Sequence, residues 1–148
     1  MLTVVESVLD YLEESRAADF AGGVPTSMLH SGQQWDFPNA WPPLQHMLVV
    51  GLEKTGQPEA QAVAFQLAQK WLLNNFYAYQ EASAMFEKYD ATVLGLAGGG
   101  GEYDVQLGFG WTNGVVLDFL NMYGDRLYSS EEMMEQSNSI DDNDVTMM

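Results

Sequence analysis

Two segments of this 148-residue sequence gather side chains suited to a polyol ligand. The first, GQQWDFPNAWPP, runs from Gly32 to Pro43 and sets Trp35, Phe37 and Trp41 beside Asp36 and Asn39. Indole rings stack on the apolar faces of sugars, while Asp, Asn and Gln aim hydrogen bonds at hydroxyls. The competing reading is that Trp35 and Trp41 plug the core and Asp36 caps a helix after Pro38. The second segment is GGGGEY, Gly98 to Tyr103, followed closely by FGWTNG. It is no phosphate cradle, because no Lys-Ser/Thr follows it and no βαβ pattern surrounds it. It reads either as a flexible surface loop or as backbone packed tightly against a ligand, with Glu102 the charged group there. A third carboxylate, Glu87 in MFEKYD, reads locally as a solvated position near the end of a helix. His30 and His46 are too few and too scattered for a zinc site. DDND at 141–144 lacks the glycine and final Glu of a calcium loop.

Composition narrows the field. Asp and Glu number 21 against five Lys and Arg, a net charge of −16, which argues against nucleic acid or an anionic membrane as partner. The absence of cysteine removes disulfide scaffolds, Cys-based zinc sites and Cys nucleophiles. With 47% hydrophobic and 12% aromatic residues there is material for a real core. No apolar run approaches a membrane span, and the opening MLTVVESVLDYLEES, with Glu6 and Asp10, does not read as a signal peptide.

Helices must position these groups. Val5, Val8, Leu9 and Leu12 repeat at helical spacing, which predicts a helix over about 3–18, ended by Gly22-Gly23. Residues 24–41 form a long loop whose three aromatics suit a binding-site wall. Pro42-Pro43 open a second helix with Leu44, Met47, Leu48 and Leu52 as its stripe. Pro58 opens a third, longer one with Val63, Leu67, Trp71 and Phe76. Thr112 is the expected cap of a fourth, with stripe Val116, Phe119, Leu120 and Tyr123. Residues 129–148 carry six acidic groups and no basic one, and are expected to be a disordered tail after a folded part at 1–128.

Together and in this order, several segments resemble the C-terminal part of the trehalase family. QWDFPNAWPP, Gln34 to Pro43, looks like a signature of that family. GGGGEY, then Gln106, then GFGWTNGV at Gly108 to Val115, looks like a second block. Pro25 to Ser27, Ser31 to Gln33 and EKYD at Glu87 to Asp90 fit as well. The resemblance covers about Gly23 to Leu127 and is nearest to animal forms, arthropod ones included. The sequence departs from the family at ATVLGLA after Asp90 and at Leu107.

The resemblance implies an all-α fold, about a third of an (α/α)₆ toroid, from a chain that is a C-terminal fragment of a longer enzyme. It implies hydrolysis of α,α-trehalose to two glucoses with inversion, by an Asp acid and a Glu base. The base falls on Glu87, and the acid lies in a motif outside this sequence. Trp35, Asp36, Glu102, Phe109 and Trp111 would bind substrate, with no metal and no organic cofactor. It also implies a secreted or membrane-associated parent; oligomeric state stays open. The alternative is a non-catalytic carbohydrate-binding piece or a structural helical fragment, and the isolated chain is expected to be inactive.

Overall fold

Thr3 and Glu6 start the fold by capping its first helix. The Thr3 hydroxyl accepts from the Glu6 N–H at 3.2 Å, and the Glu6 carboxylate accepts from the Thr3 N–H at 2.6 Å. The computed structural model describes residues 3–128. In it α1 spans Val4–Ser15, α2 Pro42–Glu53, α3 Pro58–Ala82 and α4 Gly110–Tyr123. Arg16 in the left-handed region ends α1, and prolines occupy the first turns of α2 and α3. The protein is all-α apart from two short strands, β1 (Asn39–Ala40) and β2 (Tyr89–Asp90), paired antiparallel with Asn39 opposite Asp90 and Ala40 opposite Tyr89. No helix among the described residues is long and apolar enough to cross a membrane. The acidic segment 129–148 lies outside the described residues.

The core forms where α2, α3 and α4 meet, with Leu12 of α1 closing one side. Ala60, Ala64 and Ala68 recur every four residues on α3 and are fully buried, so their small side chains let neighbouring backbone come close. Trp71, Val49, Leu52, Phe119 and Tyr123 fill the remaining volume. The observed buried faces differ from the expected stripes. Met47, Phe76 and Leu120 are exposed, while Gln45, Asn74 and Thr112 are buried. The cause is that long loops, and not only helices, cross these faces, and their backbone needs polar partners. Gln45 accepts from the Val24 N–H and donates to the Val24 carbonyl. Asn74 donates to the Gly22 carbonyl at 2.8 Å and accepts from the Gly95 N–H at 2.7 Å. Thr112 is not a cap: it lies inside the first turn of α4, and its hydroxyl donates to the Phe86 carbonyl at 2.7 Å.

Tyr89 of β2 is wholly buried, with Trp71 and Phe86 meeting its ring edge-on, and its hydroxyl accepts from the Phe86 N–H. Burial pushes its phenol up to about 12, against the smaller opposing effect of that hydrogen bond. The folded state thus holds a proton that the unfolded chain releases at an ordinary tyrosine value near 10. Stability from Tyr89 is complete below pH 10 and is lost as pH rises through 12. Thermal unfolding between pH 9 and 12 should show a shallower alkaline fall for Tyr89→Phe than for the unsubstituted chain. Equal slopes would refute this.

Candidate functional site

The chain leaves α3 through Ser83, a non-glycine residue in the left-handed region whose N–H donates to the Tyr79 carbonyl. Glu87 is therefore not near the end of a helix, where it was expected, but five residues past Ala82, in a bend of a non-helical run. That run is claimed by a distant segment. The Gly108 N–H donates to Met85, the Glu87 N–H donates to Gln106, and the Gly98 N–H donates to Lys88, at 2.7, 2.9 and 3.0 Å. Glu87 and Lys88 serve different surroundings, Glu87 meeting Tyr103 and Gln106 and Lys88 meeting Gln34 and the glycine run.

Lys88 has no exposed surface. Its Nζ donates to the carbonyls of Gln34, Gly99 and Gly100 at 3.2, 2.7 and 3.4 Å and sits 5.3 Å from the centre of the Trp41 ring. Burial lowers the ammonium below its usual value, and the Glu87 charge partly opposes this. One cation thus joins the Trp-rich loop to the glycine run. The glycines are required by that junction. A Cβ on Gly98 would fall 2.6 Å from Asn39 Oδ1, and one on Gly101 2.6 Å from the Gln34 Cβ. The Gly101 N–H donates to Gly32, and the Gly99 N–H to Asn39 Oδ1. The run therefore packs against the other loop, and the tight backbone approach that the sequence suggested for a ligand is spent on protein.

The aromatics form a continuous ladder. Trp35 stacks on Trp41 at 3.8 Å with planes 12° apart, Trp41 meets Trp111 edge-on at 5.6 Å, and Phe109 tilts against Trp111 at 4.5 Å. Trp41 is the core plug that one reading expected; Trp35 is half exposed and offers a face to solvent. Both indoles donate to backbone, Trp41 to Gln34 and Trp111 to the Glu87 carbonyl at 3.1 Å. The ladder's inner end thus reaches the backbone of the buried carboxylate.

Glu87 is buried, and its Oε1 accepts from the Tyr103 hydroxyl at 3.2 Å while Oε2 faces the Gln106 N–H at 3.4 Å. Partial burial, the Glu87 charge and the hydrogen bond raise the Tyr103 phenol above its usual value. Asp36 caps no helix, since none begins near Pro38. Its carboxylate accepts from Ser31 and Ser27, and these two bonds hold it below the usual carboxylate range. Glu102 is exposed on the loop beside Tyr103. Among the described residues no three His, Asp or Glu side chains converge as a metal-ligand set. A cavity of about 400 Å³ lies between α3 and α4, lined by Phe76, Tyr79, Val116 and Leu120, apart from Glu87.

Sequence reasoning missed Lys88 and Tyr103. Nothing local to MFEKYD marks Lys88, although it is one of only five Lys and Arg residues in the chain. Tyr103 carried no signal beyond its place after Glu102.

These features describe an all-helical scaffold with a loop-built, aromatic-walled carboxylate site. A family model described as trehalase matches residues 2–124. The trehalase of Apis mellifera is 53% identical over 130 residues, covering 88% of this chain and 21% of the relative. The trehalase of Homo sapiens is 55% identical over 130 residues, covering 88% and 22%. A probable trehalase of Oryza sativa is 52% identical over 102 residues, covering 69% and 18%. The chain belongs to the trehalase family, and it spans about a fifth of the length of these curated relatives.

Removing the Lys88 charge takes away a donor shared by the Gln34, Gly99 and Gly100 carbonyls and unlocks two loops. Lys88→Met should destabilise the chain by about 3 kcal/mol, read as a lower urea midpoint. Lys54→Met, at an exposed position, should change it by under about 0.5 kcal/mol. Equal midpoints for the two variants would contradict the lock.

Proposed function

We propose that this chain is the C-terminal part of the catalytic toroid of an inverting α,α-trehalase, with its folded part at 1–128, and that Glu87 is the general base. The observation that carries the reading is a buried carboxylate, fixed by backbone on both sides, at the inner end of an aromatic ladder whose outer indole is exposed. In the reaction Glu87 takes a proton from water as the water oxygen bonds to the anomeric carbon. The glycosidic C–O bond breaks on the opposite face, and an acid protonates the departing glucose oxygen. That acid is an Asp outside these 148 residues, at the separation of about 6.5–9.5 Å that leaves room for water. Two carboxyl groups complete the cycle with atoms and charge balanced.

Trp35, with Phe109 and Trp111, would give the sugar its apolar wall. Asp36, held by two serines, supports the loop and lines the pocket. Glu102, exposed on a loop, is suited to sugar hydroxyls, whereas Glu87 sits on a backbone rigid enough to hold one water. The isolated chain, without the acid, would turn over no trehalose. The rival reading, a carbohydrate-binding piece without catalysis, keeps the wall and needs no base.

In the enzyme that carries these residues, Glu87→Ala should lower kcat by about two to four orders of magnitude with KM little changed. Glu102→Ala should raise KM and lower kcat/KM together. A Glu87→Ala enzyme with near-normal kcat would remove Glu87 from the base role.

A further inference from the structure

The loop between Gly98 and Gln106 leaves from one residue of the Glu87–Lys88 pair and returns to the other. The Gly98 N–H donates to the Lys88 carbonyl, and the Gln106 carbonyl accepts from the Glu87 N–H. Ends this close make a compact Ω-like clasp, whose interior residues have little freedom to drift. The outgoing limb is held further, by Lys88 on Gly99 and Gly100 and by Gly32 on Gly101. Two residues beyond that anchor comes Tyr103, whose hydroxyl reaches Glu87 Oε1. On the returning limb Gln106 donates from Nε2 to the Asp104 carbonyl, which stiffens the turn.

We propose that Tyr103 is the positioning residue for Glu87: its hydroxyl holds one carboxylate oxygen so that the other group of lone pairs is aimed at the attacking water. This rests on the reading of Glu87 as base and adds a second residue to it. A carboxylate in a buried site has few partners to fix its rotamer, and here both oxygens are met, Oε1 by a side chain and Oε2 by the Gln106 backbone. Only the first can be removed by substitution without altering the backbone. The Tyr103 ring is half exposed, so replacing the hydroxyl with hydrogen leaves the core unchanged. The raised phenol keeps the proton on Tyr103 at neutral pH, so it acts as a donor to the charged Glu87.

A residue that acts through another loses its effect when that other is gone. In the enzyme carrying these residues, with an α-glucosyl substrate bearing a good leaving group, Tyr103→Phe should lower kcat about ten- to a hundredfold with KM within about twofold. In a Glu87→Ala background the same substitution should change the residual rate by less than about twofold. Unfolding midpoints should coincide for Tyr103→Phe and the unsubstituted enzyme. A rise in KM alone would make Tyr103 a sugar contact, and an equal loss in both backgrounds would mean that it acts independently of Glu87. Either result overturns the proposal, as does an unchanged kcat. Failure of the underlying reading is separate, since it appears as near-normal kcat in Glu87→Ala itself.

Discussion

A lysine with no exposed surface is the constraint on which the site depends. Moving an ammonium out of water costs several kcal/mol unless its donors and charge are met. Lys88 meets them with three carbonyls and the face of Trp41. Gln34 belongs to the Trp-rich loop and Gly99 and Gly100 to the glycine run, which are far apart in sequence. Any arrangement that separates these loops breaks those contacts. The glycines serve the same end, because side chains at Gly98 and Gly101 would hold the two surfaces apart. The Lys88 lock therefore converts two long, otherwise adaptable loops into one rigid body.

Glu87 inherits that rigidity through its neighbours. Its backbone is bonded to Gln106 and, through its carbonyl, to the Trp111 indole, so Glu87, the clasp and the aromatic ladder are tied together. β1 and β2 add a further tie, joining the residues before α2 to those after Lys88. The helices contribute mainly by presenting polar groups inward. Gln45, Asn74 and Thr112 each satisfy loop backbone from a helix face, which lets long loops lie against the core.

The four helices were legible because α1 and α4 carry apolar residues at helical spacing and α2 and α3 open on prolines at 42–43 and 58. Their faces were less legible. Apolar periodicity selects Met47, Phe76 and Leu120, but burial depends on which loop crosses a helix, a non-local fact. The same limit hid the true setting of Glu87: MFEKYD continues the pattern of α3, and only bonding to residues 106–108 draws it out of the helix. The two loops were visible as unusual, and their aromatics stood out by type and spacing. That they interlock through a buried cation was not visible, since the partners of Lys88 lie 11 to 54 residues away in sequence.

The central claim is that Glu87 delivers the water, and chemical rescue tests it most directly. In the enzyme carrying these residues, Glu87→Ala leaves a space next to the reacting carbon that a small anion can enter. Azide should then accelerate turnover of an α-glucosyl substrate with a good leaving group and yield β-glucosyl azide, the product of inversion. Rescue of Glu102→Ala in place of Glu87→Ala, or an α-configured azide, would contradict the account.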